Sequence, residues 1–346
     1  MVGLDNLRIG NDFHNRCPLN LDGILEKNSK RVSIKSYNHH HENHTRAILK
    51  IYKENHSKEN YPKKEKSKKA FLRLEFLHFK TLYRVRITNS LRKWYFGINS
   101  TQDFNSESLL DCLNILSEIL GIHFEELLQY KIYRIELGIT FKIDSDYKLL
   151  LQKLSSHRDF KKYGHFDNCS SVYFNGENIG VICYDVLQKM FDNNQISKNV
   201  YNKLSEKFFF LRLELKITKR AGVEFANKHM YNLKALLENS TDVLNYWVAQ
   251  MLNIEVNEDI SIEEIIMLKN LTPKDFVEFT SSKYAELITM QKMNAYIDLA
   301  IINNPKKKYA VKNAFKKNLE KWRVHNKTSN KEFLEQLILS KQKLIV

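Results

Sequence analysis

"FLRLEFLHFK" (71–80), "IYRIELGITF" (132–141) and "FLRLELKITK" (210–219) repeat one pattern: an Arg and a Glu two residues apart inside an apolar run. On an extended strand, residues i and i+2 share a face. Arg73 with Glu75, Arg134 with Glu136, and Arg212 with Glu214 therefore project as pairs, while Leu72, Leu74, Phe76 and their counterparts project to the other side. One face is apolar and the other charged, the signature of antiparallel strands with one face buried. Each Arg can simply pair with its Glu across an open sheet face, worth about 1 kcal/mol or less per exposed pair. If the three strands are near neighbours, three carboxylates converge instead, and such hard oxygen ligands suit Mg²⁺ or Mn²⁺ together with water and phosphate.

Outward from these strands, the pattern alternates with helices. "LDNLRI" and "RAILKIYK" read as strands, and "ENHSKENYPKKEKSKK" as a solvated loop. "SESLLDCLNILSEILGIHFEELLQY" (106–130) is an amphipathic helix that Gly121 can divide, "SDYKLLLQKLSSH" a helix, and "SSVYFNGENIGVICYDV" a hairpin turned by Asn-Gly. This order predicts an α+β fold, a largely antiparallel central sheet with helices on one face. Beyond about residue 225 no strand pattern returns and the segments read as helices with Ser, Thr, Asp or Asn caps. The expectation is a domain over 1–225 followed by an all-helical region over 226–346.

A chain of 346 residues, 43% hydrophobic, can bury a sizeable core. Its net charge of +15 exceeds what solubility needs and favours a polyanionic partner, nucleic acid before membrane. Cys17, Cys112, Cys169 and Cys183 are widely spaced and form no Cys-x-x-Cys pair, which excludes a zinc ribbon or a disulfide framework. The opening "MVGLDNLRIG" has no basic and apolar leader regions, and no apolar run approaches the ~20 residues of a membrane span. These features point to the cytoplasm. "LRKWYFG" (91–97) interleaves Arg92 and Lys93 with Trp94 and two further aromatics, a composition for stacking unpaired bases or for an amphipathic strand with half-buried rings. "YPKKEKSKK" (61–69) and "PKKKYAVKNAFKKNLEKWR" (305–323) are solvated cationic segments that can track phosphates. His39-His40-His41 reads as a surface run.

The order of short motifs resembles the rolling-circle replication initiators of filamentous phages, the gene II type, and more loosely plasmid initiators of related nicking design. The matching residues are Asp5 in "VGLDNLRI", "LKIY" (49–52), Glu75, Arg134-Ile135-Glu136, Val172-Tyr173-Phe174-Asn175, "IGVICY" ending at Tyr184, and "LRLELKITKR" (211–220). They cover about residues 1–235. The resemblance implies a nicking endonuclease that cuts one strand of origin DNA by tyrosine attack, leaves a 5′-phosphotyrosine and a free 3′-OH, and later rejoins the strand. It implies Tyr184 as nucleophile, Asp5, Glu75, Glu136 and Glu214 as ligands of Mg²⁺ or Mn²⁺, and Arg134, Arg212 or Lys189 as phenolate stabilisers. Relatives commonly carry a Lys two residues after the tyrosine, where this chain has Val186 and then Lys189. Arg73, Arg92, Lys93, Trp94, Lys216, Lys219 and Arg220 are the expected DNA contacts, with host helicase and polymerase as further partners in a bacterial cytoplasm. Tyr173 is the reserve nucleophile. A metal-dependent nuclease without a covalent step, or a binding module without catalysis, would use the same residues differently.

Overall fold

The computed structural model describes residues 3–17, 19–39, 44–53, 70–161, 170–257, 304–322 and 329–343, with isolated positions from 272 to 301. The expected loop at 54–69 lies outside the described residues, as do His40 and His41 and most of the helical segments read between 258 and 303. The chain divides into two units, residues 1–256 with 334–346 and residues 257–333.

The first unit is built on nine antiparallel strands. In chain order these are β1 (Gly3–His14), β2 (Val32–His39), β3 (His44–Ile51), β4 (Leu72–Phe79), β5 (Leu82–Thr88), β6 (Lys131–Asp144), β9 (Ser171–Asn175), β10 (Ile179–Asp185) and β11 (Phe208–Ile217), with the short β7 (Leu154–His157) and β8 (Phe160–Lys161) between β6 and β9. Their spatial order is β2-β3-β4-β5-β1-β6-β11-β10-β9. The fold is thus α+β with a large antiparallel sheet. The apolar alternation of the sequence is realised as read. Leu72, Leu74 and Phe76 are buried while Arg73 and Glu75 are half-buried on the other face. Leu211, Leu213, Leu215, Ile135, Leu137 and Ile139 likewise line the core.

The helices are α1 (Leu21–Lys27), α2 (Leu91–Phe96), α3 (Ser106–Leu120), α4 (Phe124–Leu128), α5 (Leu150–Lys153), α6 (Val186–Asp192), α7 (Lys198–Ser205), α8 (Glu224–His229), α9 (Leu233–Glu238) and α10 (Ser240–Met251). Gly121 does divide 106–130: it takes φ 65° and closes α3 in the left-handed region. The start signal of α3 is a capping box between Asn105 and Ser108.

Four expectations are corrected. "SDYKLLLQKLSSH" is helical only in its middle, because Leu154–His157 leaves as β7 and pairs with β8 and with β12 (Ile254–Val256). β12 is also a strand beyond residue 225. The helices α8, α9 and α10 belong to the first unit, tied by Leu233 N–H to the Tyr130 carbonyl (3.3 Å) and Ile132 N–H to the Tyr231 carbonyl (3.0 Å), so the division falls after Val256 rather than near 225. Finally, helices do not keep to one face. β11 is buried on five consecutive residues, Leu211–Leu215, which requires cover on both sides, whereas β4 alternates and has one open face.

In the second unit, the basic helix Pro305–Trp322 is present, and its Lys308 and Lys312 both pair with Asp298. The last helix, Asn330–Lys343, starts in this unit and continues in the first. No helix among the described residues is long and apolar enough to cross a membrane.

Candidate functional site

Strand pairing brings the chemistry together at the β1, β6, β11 and β10 part of the sheet. Tyr184, Arg212 and Thr140 lie directly opposite one another on β10, β11 and β6. The next row is Ile182, Glu214, Gly138 and Gly3. Gly138 is required by close approach: a Cβ there would sit 2.7 Å from Arg212 Nη2 and 2.8 Å from Glu214 Cγ. The missing side chain is the space the ion pair fills.

Arg212 is fully buried and uses its guanidinium on four residues. Nε donates to Glu214 Oε1 (2.7 Å), Nη1 to Asp103 Oδ1 (2.5 Å) and Thr140 Oγ1 (2.7 Å), and Nη2 faces Asp5 Oδ2 at 3.5 Å. A charge out of water is tolerated only with such partners. Asp5 accepts from Ser90 Oγ (2.5 Å) and has Arg92 Nε at 3.8 Å. Ser90 is also the cap of α2, accepting from Lys93 N–H at 3.1 Å, so the helix start and the carboxylate are positioned by one hydroxyl. Tyr184, 4% exposed, donates its phenol proton to Glu214 Oε1 at 2.7 Å, and Lys189 Nζ stands 3.7 Å from the centre of its ring.

The titration of this cluster follows from burial and its neighbours. Burial raises the Asp5 carboxyl, but the Arg212 and Arg92 guanidiniums outweigh it and hold the group well below the usual carboxylate range. Burial, and then the Asp5 charge beside it, push Glu214 up to about 7 against the pull of Arg212. Burial and Glu214 together raise the Tyr184 phenol well above its ordinary value. Burial lowers the Lys93 ammonium, which also feels Asp5, Arg92, Lys189 and Glu214. Tyr184 and Glu214 thus form a phenol–carboxylate pair in which the carboxylate titrates near neutrality, a match for proton transfer.

Of the sequence-derived residues, Asp5, Tyr184, Lys189, Arg212 and Glu214 meet here. Arg134 pairs with its own Glu136 (2.5 Å), and Glu136, opposite Lys216, is the diagonal neighbour of Glu214 at about 7–8 Å. Glu75 does not converge. It pairs with Arg73 at 2.5 Å on β4, with β5 and β1 intervening before β6, and lies opposite Arg86, which lies opposite Gly10. Strand spacing puts it on the order of 20 Å from Glu136. The expected convergence of three Arg-Glu strands is therefore corrected to two, because β4 belongs to the other half of the sheet. Asp103, Thr140 and Ser90 were not anticipated; they sit in loops or at a strand position with no period to mark them, and only Ser90 carries a local signal, as a cap before "LRKW".

Several expected DNA contacts have other roles. "LRKWYFG" is the helix α2, not a strand or stacking loop; Trp94 is 3% exposed, and Arg92, 2% exposed, donates to the Ser100 and Gln102 carbonyls. Arg220 holds the Ile132 carbonyl (2.8 Å) and Asn227. Lys219 is exposed, 3.6 Å from Glu177, and Lys216 is half-buried beside Glu136. Tyr173 lies across Ile182 on β9, two strands from Glu214.

Among the described residues no three His, Cys, Asp or Glu side chains form a group able to hold a metal ion. The carboxylates that come nearest to such a group are Asp5 and Glu214, adjacent and buried, of which one keeps its proton up to about pH 7. A Mg²⁺-type ion takes one or two protein carboxylates and completes its shell with water and phosphate. No protein-family model matches this chain, and no curated protein is significantly similar to it.

Proposed function

We propose that the chain is a replication initiator of the filamentous-phage gene II type, which nicks single-stranded DNA with Tyr184 and rejoins it. The observation that carries this reading is the Tyr184 hydroxyl bonded at 2.7 Å to a carboxylate, Glu214, that titrates near 7. A phenol held above its ordinary value does not ionise first, so attack and proton transfer go together. Tyr184 Oη forms a bond to phosphorus, its proton passes to Glu214, and the bond from phosphorus to the 3′-oxygen breaks. The leaving 3′-oxygen takes a proton from water. Arg212 and Lys189 balance negative charge on the phenol oxygen and the phosphate. Asp5, with water and the phosphate, would hold a divalent ion, which would supply Lewis-acid polarisation of the phosphate while Glu214 serves as proton acceptor. Rejoining is the same sequence reversed, with protonated Glu214 returning its proton to the leaving phenol.

Tyr184, Val186 and Met190 form one apolar cluster with Ile182, Ile196 and Phe210 packed on it. Phosphate access to Tyr184 therefore requires the 186–196 segment to part from β10. The same burial favours a second reading, a purely structural ionic network. Incubation with labelled single-stranded DNA and Mg²⁺ or Mn²⁺, followed by denaturing gel and peptide mapping, separates the two. A covalent adduct on Tyr184, absent in Tyr184→Phe while that variant still binds DNA, is the expected result. Cleavage without an adduct indicates a plain nuclease, and binding alone a non-catalytic module; an adduct at Tyr173 moves the nucleophile.

A further inference from the structure

The sheet is built of two like halves that meet at β1 and β6. In each half a central strand is flanked by the last strand of that half, β5 beside β1 and β11 beside β6, and then by the preceding strand, β4 or β10. The match extends to single positions. Gly10 lies opposite Arg86, and a Cβ there would collide with the Val85 carbonyl and meet the Arg86 side chain at 2.7 Å, as Gly138 lies opposite Glu214 and is crowded by Arg212. Two residues on, Asp12 accepts from Arg84, where Thr140 accepts from Arg212. Leu77, opposite Arg84, stands where Tyr184 stands opposite Arg212. The amino-terminal half thus keeps the arginine and replaces the tyrosine and the glutamate by Leu77 and Arg86.

That counterpart can bind an anion but has no group to react with one. Its face is open where the other is covered: β4 alternates between buried and half-buried residues, and the Arg84 side chain is 44% exposed. Arg8, Arg73, Arg84 and Arg134 present four guanidiniums here against the carboxylates of Asp12, Glu75 and Glu136, while Arg86 is buried on the Asn11 and Val85 carbonyls and Asp12. Arg8 and Arg134 are placed directly opposite each other, a like-charge pair in which only Arg134 has a carboxylate, Glu136, beside it. Arg8 is exposed and has no partner among the described residues, and the buried Nε–H groups of Arg73 and Arg134 have no acceptor. Arg8 is the cation on this face open to an acceptor from outside the chain.

We infer that the open face of β4, β5, β1 and β6 is a second, non-reacting phosphate site, which holds the backbone of single-stranded DNA while another phosphate of the same strand lies at Tyr184. Arg84 and Tyr184 are four strand spacings apart across the sheet and, from the Lys131 row of β6 to the Thr140 row, at least nine residues apart along it, roughly 35 Å in all. The choice of DNA as ligand rests on the nicking reading; the two-site arrangement rests on the sheet.

The test measures binding of the full chain to a mixed-sequence single-stranded DNA oligomer long enough to cross the sheet, over a range of salt concentrations, with an RNA of the same sequence in parallel. Arg8→Ala and Arg84→Gln are expected each to weaken DNA binding about 3- to 10-fold and to lower the salt slope by about one. Arg8→Ala removes a like-charge contact, so its melting temperature should not fall, which sets a binding role apart from a structural one. Variants that bind DNA with wild-type affinity and slope, or tighter binding of the RNA, overturn the inference. Adduct formation at Tyr184 is scored separately. Arginine-dependent binding without an adduct removes the nicking reading and keeps this site, whereas an adduct with arginine-independent binding does the reverse.

Discussion

Glu214 sets the behaviour expected at the scale of single residues. Its folded-state pKa is about 7 against an ordinary 4.5, so the folded chain holds a proton that the unfolded chain has released over that interval. The contribution is full below pH 4.5 and is lost as pH rises through 7. Thermal melts of the wild type should therefore show stability falling between these values, by an amount on the order of a few kcal/mol, and Glu214→Gln should flatten that slope. Asp5 works in the opposite sense: its depressed pKa gives stability that is present above the ordinary carboxylate range and lost on acidification. Gly138 makes a second test. Ala at this position must displace Arg212 or Glu214, and should cost about 1–3 kcal/mol in chemical denaturation while abolishing any adduct. That Glu214 and Arg212 project from one face of a strand was legible from their i, i+2 placement. Their burial was not, because it depends on α2, α6 and α7 covering that face.

At the scale of elements, the strands declared themselves and the short helices did not. The sequence alternates polar with apolar residues over 72–76 in β4, 134–144 in β6 and 211–218 in β11, which is enough to decide type and apolar face. "LRKWYFG" is too short to show a 3.6-residue period, and its conversion into α2 depends on the Ser90 cap and on burial of Leu91 and Trp94. The long helix α3 is held at both ends by local chemistry. Asn105→Ala should remove its capping box and cost about 1 kcal/mol. Gly121→Ala forces a side chain into the left-handed region at φ 65° and should cost about 1–2 kcal/mol, with neither change affecting DNA binding. Equilibrium unfolding in urea with a DNA-binding control checks both.

For the whole molecule, the position of the unit boundary gives the sharpest expectation. A chain ending at residue 225 would lack α9, α10 and β12, and with them the buried Trp247, Leu233, Val248 and Met251 and the pairing of β7. Such a chain should lose cooperative thermal unfolding, measured by circular dichroism, although all nine strands of the main sheet remain. A cooperative melt at the wild-type temperature would show that the helices after residue 225 are not part of this fold. The excess of positive charge has its place at this scale too, since long-range attraction of a polyanion depends on the sum over the surface rather than on one contact.

Local patterning, though it misses β2, β7, β8 and β12, was enough to read β1, β3, β4, β6, β9, β10 and β11, the hairpin before Tyr184, the division of the 106–130 helix at Gly121 and the basic balance of the chain. These are local: two- and 3.6-residue periods, caps and glycine backbone angles act between residues close along the chain. Long-range contacts alone set which of the three Arg-Glu strands meet, that Asp103 and Ser90 join them, and that β12 and α10 complete the amino-terminal unit. Strand order sets each of these, and strand order is a property of long-range pairing. Glu75 and Glu214 carry the same local pattern, yet three intervening strands, β5, β1 and β6, leave one half-exposed in an arginine face and the other buried against Tyr184.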